Sequence, residues 1–211
     1  MPEDNKKVKS YLQIIRRRGI FSFFNEIIEN FLFDIKYKTD TQLRVGRSRM
    51  IATHYAPSYY SPLKKIFSLI PNKKKLNFVD IGCGKGKVLL IASNFGFKNI
   101  SGIDIDEKLL KICKKNISIY QKTKKTKVKI NVKKINADLY NVDDDNVFYF
   151  FNPFSYIILN KILKKIKKNN KKETYIIYCA PQTNNYILNS HFKKIFTEHY
   201  NTHSFTLYKK F

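Results

Sequence analysis

The sequence predicts an α/β domain: a mostly parallel, seven-stranded sheet with helices on both faces, a C-terminal antiparallel hairpin and an N-terminal helical extension. Three observations predict it. From Leu76 onward, short apolar runs alternate with helical segments, the pattern of a parallel sheet with right-handed crossovers. The first run, NFVDIG, stops at a glycine-rich turn. The last two runs, FKKIFTEHY and HSFTLYKKF, have strand character and are separated by a short polar turn around Asn201.

Residues 1–50 read as the extension, helical and basic, and residues 51–211 as the main domain. In the extension Phe23, Phe24, Ile27, Ile28, Phe31 and Ile35 recur at spacings of three and four, an amphipathic period. The stripe is expected to pack onto the main domain. The alternative is peripheral membrane contact by an interfacial helix over residues 20–37, because Lys and Arg flank its aromatic face. KTDTQLRVGRSRM reads as a loop, and HYAPSYYSPLKKIFSLIP as a proline-marked turn entering a helix that ends at Pro71. The main domain then runs NFVDIG (strand), GKVLLIASNFG (helix), NISGIDI (strand), DEKLLKICKKNISIY (helix, with Asp106 as N-cap), KVKINVKKINAD (strand), NVFYFF (strand), SYIILNKILKKIKK (helix) and TYIIYCAP (strand).

A hydrophobic fraction of 43% with 15% aromatics supports a packed core and excludes disorder. The net charge is +25, from 41 Lys+Arg against 16 Asp+Glu. The excess is mostly Lys and comes with abundant Asn, Ile, Tyr and Phe, so it reads as the drift of an AT-rich coding sequence; a nucleic-acid partner stays open but is not favoured. Every arginine falls at Arg16, Arg17, Arg18, Arg44, Arg47 or Arg49. A retained guanidinium fork in a Lys-rich chain suits a phosphate or carboxylate, and Arg47 is the candidate for gripping substrate; the alternative is a solvated helix end with an ion pair. Cys83, Cys113 and Cys179 show no metal-ligand or disulfide spacing, so no metal site is expected. The polar start and the lack of a run of ~20 apolar residues point to a cytoplasmic protein.

The chemistry concentrates at VDIGCGKGK. Gly82, Gly84 and Gly86 follow Asp80 where a strand turns into a helix, so a ligand can lie against bare backbone and the helix N-terminus. The third glycine comes one residue too early for the G-x-G-x-x-G of nicotinamide-binding folds. About twenty residues after Gly82, Asp104 ends the second strand, where a carboxylate suits ribose hydroxyls. Further on come NADLY, with Asp138 and Leu139, and FFNPFS, with Asn152, Pro153 and Phe154, both at strand ends that border the crevice of a doubly wound sheet.

These motifs resemble small bacterial class I S-adenosylmethionine-dependent methyltransferases with VDxGxGKG and NPF motifs, over roughly residues 40–205. The resemblance implies a Rossmann-like fold and S-adenosylmethionine as cofactor. It places Asp80, Gly82, Gly84, Gly86 and Asp104 on the cofactor, with Asp138 and Leu139 beside the adenine. Asn152-Pro153-Phe154 is one proline short of the amino-group methyltransferase tetrapeptide (N/D)PP(Y/F), which leaves a planar base or amide acceptor in doubt. By that likeness Asn152 orients the nucleophile and Pro153 and Phe154 meet substrate. HYAPSYY resembles a Tyr-x-Pro-x-x-Tyr element at the same place in these enzymes and, more distantly, a Tyr-Val-Pro element of lysine methyltransferases. Tyr55 then lines the transfer pocket, with Pro57 and either Tyr59 or Tyr60 completing the element. His54 is the candidate base for a hydroxyl acceptor. His191, His199 and His203 are expected as surface or hairpin residues.

The expected activity is methyl transfer to an unidentified acceptor, with a small molecule, glycan or lipid-linked group favoured. The alternatives are a protein lysine or nucleic-acid methyltransferase, or a non-catalytic S-adenosylmethionine-binding scaffold.

Overall fold

In the computed structural model, which describes residues 20–42, 56–151, 155–169, 173–180, 186–200 and 203–210, each apolar run of the sequence becomes a strand. The strands are β1 (Asn77–Ile81), β2 (Asn99–Asp104), β3 (Lys129–Lys134), β4 (Val147–Phe151), β5 (Tyr175–Cys179), β6 (Phe192–Tyr200) and β7 (His203–Lys210). They form one seven-stranded sheet in the order β3-β2-β1-β4-β5-β7-β6. Pairings from β3 through β5 are parallel, and β7 runs antiparallel between β5 and β6. The order reverses between β1 and β4, so the ligand crevice of such a sheet lies beyond their carboxyl ends.

Side chains alternate across the strands, which splits the core in two. Phe78, Tyr149 and Ile177 belong to one apolar cluster with residues of α2 (Tyr60–Leu69), α3 (Lys87–Asn94) and α4 (Glu107–Lys124). Val79, Ile81, Phe148 and Ile176 belong to the other, with α5 (Tyr156–Lys168) and the short α6 (Tyr186–His191). Asp106 caps α4 as expected, accepting from the N–H groups of Lys108 and Leu109 at 2.9 and 3.1 Å. Between β3 and β4 there is no full helix, only a 3₁₀ turn over Ala137–Leu139, so NADLY lies past the strand rather than in it.

One expectation is corrected. Helix α1 (Ile20–Tyr37) exists, but Ile28, Phe31 and Ile35 face solvent instead of the domain. The inward face is chosen by Phe33 and Tyr37, both buried. The Phe33 ring lies 5.7 Å from that of Tyr60, and the Tyr37 ring 4.8 Å from that of Tyr120. The Tyr37 hydroxyl donates to Asn94 Oδ1 at 3.1 Å. Two buried rings, one of them with a hydroxyl that finds a partner, thus outweigh the longer stripe of Phe and Ile. The side chains of Phe23, Phe24 and Ile27 lie outside the described residues.

Candidate functional site

The glycine turn is held in place by backbone. Gly82 and Cys83 both donate N–H to the carbonyl of Ile103 at the end of β2, at 2.8 and 2.9 Å. Gly86 N–H closes the bend onto Cys83 O at 2.8 Å. Gly82, Gly84 and Gly86 have φ of 93°, 52° and 86°, the left-handed region that favours glycine. Gly86 has a second duty: a Cβ there would lie 2.6 Å from Cys113 Sγ, so its bareness lets α4 pack against the turn. Gly102 does similar work unnoticed in the sequence, since a Cβ would stand 2.7 Å from Leu89 Cδ1 and 2.9 Å from Cys83 Sγ.

Asp104 faces this turn. Its Oδ2 accepts from Gly84 N–H and its Oδ1 from Asp106 N–H, each at 2.9 Å. Asp80 pairs in register with Gly102 on β2 and Tyr149 on β4 and is buried. Burial first, and then the charge of Asp104, hold its carboxyl well above the usual range. A cationic group brought beside these two acids would oppose the shift by favouring their charged forms.

Asp138 lies at the carboxyl edge of the sheet, beyond β3. Its Oδ2 is 3.8 Å from Lys161 Nζ, while its Oδ1 is buried with no hydrogen-bond partner. A buried orphan acceptor is costly and fits an incoming N–H donor. Lys165 Nζ donates to the carbonyls of Asp138 and Tyr140 and fixes the turn. Leu139, 71% exposed, and Ile105, 40% exposed, are apolar side chains past the ends of β3 and β2. They suit the faces of a planar ring.

A strap that the sequence did not reveal grips the turn from behind. Lys85 is 1% exposed, and its ammonium meets both oxygens of Asp40 at 3.1 and 3.2 Å. Asn116 on α4 ties the pair. Its amide donates to the carbonyls of Asp40 and Lys85, each at 3.0 Å, and its oxygen accepts from Asp40 N–H at 2.9 Å. Asp34 orders the same strap by accepting from Thr39 Oγ1, Thr41 N–H and Thr41 Oγ1 at 2.6, 2.9 and 2.7 Å. Beside it, burial lowers Lys87 to a pKa of about 7 against the opposing pull of Asp34. The one sequence signal was the pair of lysines inside the glycine motif.

Beside β4, Ser58 Oγ and the hydroxyl of Tyr149 are 2.7 Å apart and buried. Burial keeps the Tyr149 hydroxyl protonated, its pKa raised well above the ordinary value. Of the two tyrosines left open by sequence, Tyr59 faces the hairpin, with ring centroids 5.0 Å from Tyr200 and 6.2 Å from His203. Tyr60 instead anchors α1. His203 is a half-buried hairpin residue whose ring packs edge-on to Phe151 at 5.5 Å, at the end of β4 and next in sequence to Asn152. Asn152, Pro153, Phe154, His54, Tyr55 and Arg47 lie outside the described residues. Among the described residues no group of three or more His, Cys, Asp or Glu gathers for a metal.

A methyltransferase domain family model matches residues 72–206, more than half of the chain. The chain belongs to this methyltransferase family. Two solved structures show the same fold: an RNA methyltransferase from Salinibacter ruber in complex with S-adenosyl-L-homocysteine (TM-score 0.58, 12% identity, 74% of this chain and 94% of that one), and the magnesium protoporphyrin IX methyltransferase of Synechocystis with its cofactor bound (TM-score 0.57, 14% identity, 72% and 78%). A ribosomal protein L11 methyltransferase of Ruminiclostridium cellulolyticum is 40% identical over 53 residues, which span 25% of this chain and 17% of that protein.

Proposed function

We propose that this methyltransferase passes the methyl group of S-adenosylmethionine to a small-molecule, glycan or lipid-linked acceptor in the cytoplasm. The observation that carries the cofactor half is the glycine turn fastened to Ile103, with Asp104 closed onto Gly84. In this reading Gly82, Gly84 and Gly86 leave the backbone bare, and Asp104 holds the ribose hydroxyls. Asp80 faces the amino-acid end, whose ammonium offsets the two buried acids. The orphan oxygen of Asp138 takes the adenine amino group, and Leu139 covers the ring. The extension, residues 1–50, and the main domain, residues 51–211, work as one unit, because the strap of the first holds the glycine turn of the second.

The cofactor supplies the activated methyl carbon when bound. The protein supplies orientation, a dry site and a route for the acceptor's proton. In this reading Asn152 orients the attacking atom, Pro153 and Phe154 meet substrate, Tyr55 serves the transfer pocket and Arg47 grips a phosphate or carboxylate of the substrate. For a hydroxyl acceptor, His54 remains a candidate base. His203 joins it, because its ring stands against Phe151 at the end of β4. Sequence neighbours and structural neighbours are named for ribosomal protein L11, RNA and magnesium protoporphyrin IX, three unlike acceptors, so none of them selects the acceptor here. Protein lysine and nucleic acid stay as alternatives, as does a non-catalytic scaffold. Peripheral membrane contact through residues 20–37 belongs to the same reading.

Calorimetric titration with S-adenosylhomocysteine tests the cofactor half. Wild type should bind, and Asp104→Ala should bind roughly 10- to 100-fold more weakly, the loss of a charge-assisted hydrogen bond. Equal affinity in both would remove Asp104 from the site. For nucleic acid, six or more phosphate contacts would make binding fall by ~10³-fold or more between about 50 and 200 mM salt; salt-insensitive activity removes that acceptor.

A further inference from the structure

Helix α1 is fixed with its most apolar side in water. Ile28, Phe31, Leu32 and Ile35 are 47%, 54%, 52% and 68% exposed. Spacings of three and four set them along one side of the helix. Turning that side inward would forfeit the contacts of Phe33 with Tyr60 and of Tyr37 with Tyr120 and Asn94. A contiguous exposed apolar stripe of this kind marks an interaction surface.

Charge selects the partner. Lys36 and Lys38 are exposed at the end of the stripe, against Glu29 as the exposed acid of the described part of the helix. Lys124, at the neighbouring end of α4, feels the charge of Lys36. Arg16, Arg17 and Arg18 precede the helix in the sequence. A second copy of the helix brings the same basic residues and is repelled, whereas an anionic surface is attracted. Among the described residues no helix is long and apolar enough to cross a membrane, so the contact is one that lies in the interface.

We propose that α1 docks the protein on an anionic lipid bilayer, with Ile28, Phe31, Leu32 and Ile35 entering the headgroup boundary and Lys36 and Lys38 meeting lipid phosphates. This deepens the membrane-contact part of the proposed function and does not depend on methyl transfer.

Flotation of the full chain with vesicles tests it, comparing phosphatidylcholine alone with phosphatidylcholine containing phosphatidylglycerol. Wild type should float with the anionic vesicles, less so in high salt, and stay in solution with the neutral ones. Phe31→Ser combined with Ile35→Ser replaces exposed side chains and should lower the partition by more than ~10-fold. Titration with S-adenosylhomocysteine on the same samples keeps the readings apart. Unchanged cofactor affinity in the double variant shows that its fold is intact. A wild type that floats without binding S-adenosylhomocysteine would strike the methyl-transfer reading and leave the docking one standing. Docking is overturned if wild type ignores anionic vesicles or binds neutral ones equally well. It is also overturned if the double variant floats like wild type, or if the stripe instead pairs two copies in sedimentation without lipid.

Discussion

Around β1 and β2 the chain is fixed by backbone contacts, whereas beside β4 and β7 side chains meet from distant parts of the chain. The first region is a bend of three glycines pinned to Ile103 O and closed by Asp104, all within a short stretch of sequence. The second brings Ser58 to Tyr149 and sets Tyr59 and Phe151 around His203. The two regions can therefore vary to different degrees. A backbone turn with left-handed φ tolerates few substitutions. Side chains that meet from distant parts of the chain can be changed one by one while the fold stays the same.

Substitutions in the two regions should differ in their effects. The largest effect should come from Gly86→Val. It adds a Cβ 2.6 Å from Cys113 Sγ at a φ of 86°, and combined strain and overpacking should cost about 3 kcal/mol or more in denaturant unfolding. A variant as stable as wild type would show that the turn is not backbone-limited. Next, His203→Phe keeps a ring against Phe151 and Tyr59 but removes the proton acceptor. If His203 serves as base, turnover should fall by ~10²-fold while S-adenosylhomocysteine affinity holds, and the pH–rate profile should lose one limb. Full turnover would leave His203 a packing residue. Asp40→Asn should cost about 1–3 kcal/mol, because the buried Lys85 loses its carboxylate, and cofactor affinity should fall with it. Unchanged affinity would detach the strap from the cofactor site.

The smallest effect belongs to Lys87. Its folded pKa of about 7 lies below the ordinary 10.5, so between those values the unfolded chain holds more protons and stability should rise with pH. Lys87→Met should flatten that rise and add on the order of 1 kcal/mol near neutral pH. Thermal melts across the window read it directly, and parallel curves for the two proteins would contradict the shift.

The strands and most helices were legible because their signals are local: apolar runs, glycine stops, and Asp106 as a helix cap. The hairpin was equally plain, since its two runs flank a short polar turn. The β3–β4 connection was not, because nothing in NADLY distinguishes a strand end from a 3₁₀ turn. The stripe of α1 misled for a related reason. Periodicity identifies an apolar face, but which face is buried depends on Tyr60, Tyr120 and Asn94, which lie far along the chain. The candidate site divides the same way. Asp80, Asp104 and the glycines stand in a motif, and the structure gathers them. Asp40, Asn116, Tyr149 and His203 enter through contacts that only the fold creates. Asn152, Tyr55, His54 and Arg47 were named from motif likeness and stand as proposals.

In the proposed function the bare turn and the carboxylate that closes it hold the cofactor. Amide resonances of labelled protein, followed during titration with S-adenosylhomocysteine, test it most directly. The largest shifts should fall on Gly82, Gly84, Ile105 and Leu139, with Ile28 and Leu32 on the outer face of α1 unmoved. Saturating ligand that leaves the two glycine amides in place would contradict the account.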